Sequence, residues 1–313
     1  MNEHRVPPDV KSGFAGVFPA NPTPLTEHGE IHETGLRAML EDNMSHGVHG
    51  FWIAGTAGEG PLLSEQQRDT VARIVGETTK GRVLSIMNVG AITTDSAQKG
   101  AQSAARSGCA AIACLPPFFP IFRSETSVID HYKAVADGAE GLPLFAYNIP
   151  VLTQIEFDRG LMEKLRNEVP SLIGLKHSAR DLSMIQSWVD MELACFSGFG
   201  RLPLPALTMG AVGTVDSPLS IAPWLYVELY HAWKAGDLNK AKAKQQAVQQ
   251  VNDLIWRYNA VPDACKAILG QRLGIDCGQA IRPNNLLTPE QRREILKAAE
   301  ELELFSHAAS SSP

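Results

Sequence analysis

Nowhere along the 313 residues do about 18 apolar residues follow one another, so no membrane-spanning helix is expected. Basic residues are not in excess: 28 Lys and Arg face 34 Asp and Glu, a formal net charge of -6. Without a basic stripe to track a phosphate backbone, neither nucleic acid nor a membrane surface is expected as a partner. Cysteine is sparse. Cys109, Cys114, Cys195, Cys265 and Cys277 form no CxxC pair, and an odd number cannot complete a disulfide framework. Three of them, Cys109, Cys114 and Cys195, lie in or beside apolar runs and read as buried reduced thiols. Residues 1–13 are polar and carry prolines without an apolar signal-peptide core, so the expected location is the cytoplasm. No GxGxxG follows the first candidate strand, which argues against a dinucleotide site, and no HExxH marks a zinc hydrolase. His28 and His32 have HxxxH spacing, but Gly29 and a turn interrupt a shared ligand face; solvent exposure is the better reading, and no metal is expected.

What is present is a rhythm. Strand-like runs at 14–20, 50–55, 83–89, 110–115, 142–147, 172–176, 193–197 and 211–216 alternate with amphipathic stretches. Those stretches fall at 31–45, 64–79, 95–107, 125–139, 157–167 and 182–190, with a shorter one at 202–209. Alternation of this kind builds a parallel sheet, and eight units can close into a (β/α)8 TIM barrel. A doubly wound open sheet is the alternative, weakened by the missing glycine fingerprint. Beyond the strands, 223–236, 238–258, 262–273 and 288–302 read as consecutive helices. Thr288, Pro289 and Gln291 supply the cap, the N1 proline and the N3 partner of the last one. The expected organisation is a flexible arm (1–13), the barrel (14–236), a C-terminal helical region (237–306) and a disordered tail (307–313).

Barrel active sites lie at the C-terminal strand ends. Lys176 ends the sixth run, after Leu172-Ile173-Gly174-Leu175. Desolvation favours a neutral amine, which can attack a ketone and form a Schiff base; a lysine there could equally snorkel to solvent. Tyr147 ends the adjacent fifth run and could relay a proton, or simply pack at the rim. After the second run comes Gly55-Thr56-Ala57-Gly58-Glu59-Gly60, whose backbone amides can converge on a carboxylate while Thr56 adds a hydroxyl. Glu59 reads as structural. His177 alternates away from the barrel axis, and Trp188, Trp224, Trp233 and Trp256 lie on helices, so packing is their expected role.

In order and spacing these segments resemble the dihydrodipicolinate synthase and N-acetylneuraminate lyase family of pyruvate aldolases, from about Gly16 to Leu302. The G-(T/S)-T-G-E turn is similar to Gly55-Thr56-Ala57-Gly58-Glu59, the Y-N-x-P segment to Tyr147-Asn148-Ile149-Pro150, and the G-(I/L/V)-K motif to Gly174-Leu175-Lys176. Pro22-Thr23-Pro24-Leu25 fits the family's turn after strand one. The resemblance implies Lys176 as the Schiff-base lysine, Tyr147 as the proton relay, and Thr56 and Ala57 as the binders of the pyruvate carboxylate. It implies no cofactor, a small 2-oxo acid as substrate, and a homotetramer. Ala57 replaces a Thr or Ser, so one side-chain hydroxyl is missing and the backbone amide must serve.

Three departures bear on the branch. Synthases carry P-Y-Y after strand four, whereas Pro117-Phe118-Phe119 has no second phenol. Leu152 stands where synthases place the arginine that holds aspartate semialdehyde. These features, with Ser178 after Gly174-Leu175-Lys176-His177, look closer to the lyase branch. The sialic-acid members have an Asp-Glu pair after strand seven that grips the sugar's tail; Ser197-Gly198-Phe199-Gly200-Arg201 offers a void and a cation instead. Gly198, Gly200, Arg201, Ser178 and Ser217 are therefore candidate substrate contacts, with Asp216 beside Ser217 closing the site. Arg201 could meet an anionic tail or open a helix toward solvent. The expected reaction splits or forms a 2-oxo acid, of the 2-keto-3-deoxy sugar acid or N-acetylneuraminate type, through pyruvate and an aldehyde. Alternatives are the synthase reaction, a hydratase-aldolase or dehydratase of the same family, and a non-catalytic pyruvate-binding regulator.

Overall fold

Eight strands follow one another around an axis: β1 (Gly16–Val17), β2 (Gly50–Ile53), β3 (Leu84–Asn88), β4 (Ala111–Cys114), β5 (Leu144–Asn148), β6 (Leu172–His177), β7 (Ala194–Ser197) and β8 (Gly213–Thr214). The computed structural model describes residues 13–119 and 123–307. The expected flexible arm, up to residue 12, and the expected disordered tail, from residue 308, lie outside the described residues. Hydrogen bonding runs parallel in the order β1-β8-β7-β6-β5-β4-β3-β2. The remaining seam, β1 to β2, is joined by His49 N–H to Val17 O and Trp52 N–H to Pro19 O, each 3.0 Å. Pro19 has no N–H to return across that seam, so single bonds replace a ladder. The result is the expected (β/α)8 TIM barrel, with β1 and β8 shorter than their apolar runs.

The outer layer is α1 (Glu33–Ser45), α2 (Glu65–Thr79), α3 (Thr94–Arg106), α4 (Glu125–Gly138), α5 (Pro150–Thr153), α6 (Arg159–Glu168), α7 (Met184–Asp190), α8 (Pro203–Thr208), α9 (Pro218–Ile221) and α10 (Pro223–Lys234). Several begin where a short polar side chain captures an amide one turn on: Ser64, Thr93, Ser124 and Asp158 do this for α2, α3, α4 and α6. The single turns α5 and α9, and a 3-10 turn at Gly60–Leu62, were not expected. Each carries a proline in its first turn and is too short for helical periodicity to show.

Alternation along the strands sorts the core into two populations. Phe18, Trp52, Ile86, Phe145, Tyr147 and Phe196 share the barrel interior with Ala111 and Ala113. Strand residues of the opposite alternation, such as Ile53, Ala146, Leu175 and Cys195, pack under the helices. Inward glycines make room for the rings: a Cβ on Gly50 would come within 2.3 Å of Phe18, and one on Gly174 within 2.7 Å of Phe145. All five cysteines are free and buried. Among the described residues no helix is long and apolar enough to cross a membrane.

The C-terminal helices α11 (Leu238–Trp256), α12 (Val261–Leu273) and α13 (Pro289–Glu301) have their own apolar cluster, including Leu254, Ile268 and Ile295. Thr288 and Gln291 close the expected capping box. Buried Arg272 of α12 pairs with Asp42 of α1 and so fastens this layer to the barrel.

Candidate active site

The C-terminal ends of β5, β6 and β7 stand level. Tyr147 is the register partner of Lys176, and Lys176 the partner of Phe196, so all three side chains enter the barrel at one height. Lys176 is 3% exposed, and its Nζ lies 4.6 Å from the centre of the Tyr147 ring and 5.4 Å from that of Trp52. Two aromatic faces thus cradle the amine, and among the described residues no carboxylate lies within ion-pair distance of it. Trp52, 0% exposed and edge-on to Tyr147, was missed by the sequence reading. Alternation from Gly50 would have placed it inside.

The Tyr147 hydroxyl is 3.1 Å from that of Thr56, which links the candidate relay to the glycine-rich turn. Among the described residues the amides of Thr56 and Ala57 donate to no backbone acceptor, so both remain free to meet a carboxylate. The Ala57 methyl joins the apolar interior. Thr23, in the turn after β1, donates to Gly58 O at 2.6 Å and steadies the loop from beneath.

Glu59 is structural, as expected, but it caps no helix. Its Oε1 accepts from Ile281 N–H at 2.5 Å and Asn284 Nδ2 at 2.9 Å, while Lys266 Nζ lies 2.6 Å from Oε2. Both charged side chains are fully buried. The same lysine donates to Gln279 O, so the C-terminal layer grips the turn beside the amine.

Outside the strand tips a second network holds the first. His177 and Asn148 directly follow Lys176 and Tyr147 and are themselves register partners. Trp188 Nε1 donates to His177 Nδ1 at 3.3 Å, which leaves Nε2–H to donate to Asp181 O at 2.9 Å. That tautomer is neutral, and burial lowers the histidine's pKa in the same sense. His177 therefore packs and positions, as its alternation implied.

Ser178 and Gly198 converge beside the lysine. A Cβ built on Gly198 would fall 1.8 Å from Ser178 Oγ and 3.0 Å from Lys176 Cε, so a side chain there would have to displace the serine or the lysine. Ser178 Oγ is buried and has no partner among the described residues. A hydroxyl with an open valence next to the amine is a ready contact for substrate.

Position 200 is not a void: Asp216 Oδ2 accepts from Gly200 N–H at 2.8 Å, and Pro218 and the Asp216 carboxylate fill the space a residue-200 side chain would need. Arg201 forms an exposed ion pair with Asp253 of α11, the solvent-facing of its two expected settings. Ser217 precedes α9 without capping it through its side chain, and its N–H donates to Asp216 Oδ1 at 2.8 Å. Among the described residues no cluster of His, Cys, Asp or Glu is arranged to hold a metal.

Known proteins share this arrangement of sequence. N-acetylneuraminate lyase 2 of Escherichia coli O6:H1 is 32% identical over 244 residues, covering 77% of this chain and 79% of that one. N-acetylneuraminate lyase of Citrobacter koseri is 32% identical over 242 residues, covering 77% and 81%. The fold is that of Ruminococcus gnavus sialic acid aldolase, with a TM-score of 0.88 at 24% identity over 95% of this chain and 100% of that one. With the dihydrodipicolinate synthetase family model matching residues 13–302, the chain belongs to that family of aldolases and lyases.

Proposed function

We propose that the chain splits, or in reverse forms, a 2-oxo acid through a Schiff base at Lys176, exchanging it for pyruvate and an aldehyde. The observation that carries this is the buried amine set against Tyr147, whose hydroxyl already meets Thr56. The amine adds to the C2 carbonyl, water leaves, and a protonated imine forms. Loss of the C4 hydroxyl proton, through Tyr147, lets the C3–C4 bond break. Its electron pair enters the imine as an enamine, and the aldehyde departs. Protonation at C3 and hydrolysis then return pyruvate and the free lysine. The iminium is the electron sink, so the scheme uses no metal or cofactor. Thr56 and Ala57 amides bind the carboxylate, and Ser178 lies against the same carbon skeleton.

The substrate class that fits is a 2-keto-3-deoxy sugar acid or a relative of N-acetylneuraminate. Support comes from the named lyases at 32% identity, and from Leu152 and Phe119, which offer neither an arginine nor a second phenol for synthase chemistry. The setting we propose is a cytoplasmic homo-oligomer. Phe119, on the loop after β4, and Val151 and Leu152, on the short α5 after β5, expose 73%, 77% and 54% of their surfaces, an apolar rim that an assembly would cover.

Borohydride reduction in the presence of pyruvate tests the reading. A secondary amine should be trapped at Lys176 and lost in Lys176→Ala, and turnover should survive EDTA. An adduct on another lysine, or none, would overturn it; turnover lost to EDTA and restored by zinc or magnesium would point to metal-dependent aldol chemistry.

A further inference from the structure

The loops after β7 and β8 meet at a carboxylate: Asp216 Oδ2 accepts from Gly200 N–H and would lie 3.0 Å from a Cβ on Gly200, two residues beyond the Gly198 that packs against Lys176 and Ser178. We propose that Asp216 accepts hydrogen bonds from the hydroxyl groups of the aldehyde half of the substrate, and so selects neutral, hydroxylated aldehydes. The proposal rests on the Schiff-base reading of Lys176.

Three observations support it. Each Asp216 oxygen accepts one bond, from Gly200 N–H and Ser217 N–H, both at 2.8 Å. A carboxylate has about four lone-pair sites, so these contacts aim the group without saturating it. Asp216 also keeps part of its surface in solvent, unlike the buried Asp42, Glu59 and Asp263. Those three are committed to internal ties: Asp42 to Arg272, Glu59 to Lys266, and Asp263 to the amides of Ala280 and Leu287. Lastly, among the described residues no basic side chain lies within ion-pair distance of Asp216, and the nearby guanidinium of Arg201 is held by Asp253. Burial raises its pKa, and Lys176 and the amides of Gly200 and Ser217 oppose that shift.

Proximity and charge together give the selectivity a sign. Hydroxyls donate to the carboxylate; an anionic tail is repelled by it. Gly200 is the complement of Asp216, because a side chain there would collide with Pro218 Cγ at 2.6 Å as well as with the carboxylate.

The experiment compares acceptors in the condensation direction with pyruvate: glyceraldehyde and erythrose against propanal and butanal. Asp216→Asn keeps an oxygen for one amide but removes the charge. It should raise KM for the hydroxylated pair by roughly 10- to 100-fold, the loss expected for a charged hydrogen bond, while the alkyl pair changes by less than about threefold. Asp216→Glu keeps the charge one methylene further along and should retain part of the preference. It also serves if the single variant folds poorly. Parallel changes for both pairs, no change in either, or failure of the unsubstituted protein to use any hydroxylated aldehyde would overturn the proposal. Borohydride trapping with pyruvate alone, run on the same proteins, reads Lys176 separately: trapping that persists while selectivity fails to move sinks only the role of Asp216.

Discussion

Tyr147 and Lys176 are register partners on adjacent strands, and the amine rests 4.6 Å from the centre of the phenol ring. The ring shields the amine while the hydroxyl points on to Thr56. Tyr147→Phe keeps the shield and removes the proposed acid–base group. Turnover should fall by about 10²- to 10⁴-fold, with trapping of the pyruvate imine slowed rather than lost. Near-native turnover would return Tyr147 to a packing role.

Gly198 tests how tightly the lysine is placed. A methyl there meets Ser178 Oγ and Lys176 Cε, so Gly198→Ala must displace one or both. Imine trapping should drop at least tenfold while thermal unfolding shifts little, since the site is at a loop. A variant that traps pyruvate normally would show the amine to be freely adjustable.

The Glu59–Lys266 pair predicts a coupling between stability and carboxylate binding. Lys266→Met leaves a buried carboxylate without its counter-charge, a change that costs about 3–5 kcal/mol in comparable pairs. The same turn presents the Thr56 and Ala57 amides, so the pyruvate concentration for half-maximal trapping should rise as well. Denaturant melts and trapping titrations measure the two effects. Destabilisation with unaltered trapping would separate the turn from its support.

His131 sets a pH dependence. Burial lowers its pKa from 6.5 to about 4, and it is held between Thr94 Oγ1 and Cys114 Sγ. A histidine that is harder to protonate when folded stabilises the protein above pH 6.5, and that stability is lost as pH falls toward 4. The full shift corresponds to about 3 kcal/mol. His131→Gln should flatten the decline in melting temperature across this window. An unchanged slope would assign the acid lability to other groups.

Aspartate semialdehyde separates the branches. Leu152 offers no cation to its carboxylate, and Asp216 adds a like charge. Its condensation with pyruvate should be slow or absent, and a diaminopimelate auxotroph should not be rescued. Efficient condensation would move the chain to the synthase branch and leave the Schiff base untouched.

Much of this was legible in the sequence because period-2 and period-3.6 patterns report burial directly. The strand ends carrying Lys176 and Tyr147 could be read from apolar runs that stop at a polar residue. The position of Ser178 could be read from Gly174-Leu175-Lys176-His177, and that of Gly198 only from the family resemblance after strand seven. Asp216 and Arg201 resisted, because their roles depend on which of two neighbouring loops a side chain leans toward, and no local pattern records that. Likewise Glu59 shows only its own turn in sequence; its partner Lys266 lies on a helix two-thirds of the chain away. The short α5 and α9 turns were hidden by their length.

The aromatic floor beneath the lysine has a kinetic meaning. Phe18, Trp52, Phe145 and Phe196 are each fully shielded from solvent and fill the barrel beneath the amine, so on the proposed chemistry a substrate reaches Lys176 from the C-terminal strand ends. Whatever enters must lead with its pyruvyl end, and whatever lies nearer the rim must leave first. On the proposed chemistry the aldehyde is therefore released before pyruvate. Pyruvate would then act as a competitive product inhibitor, and the aldehyde as a noncompetitive one.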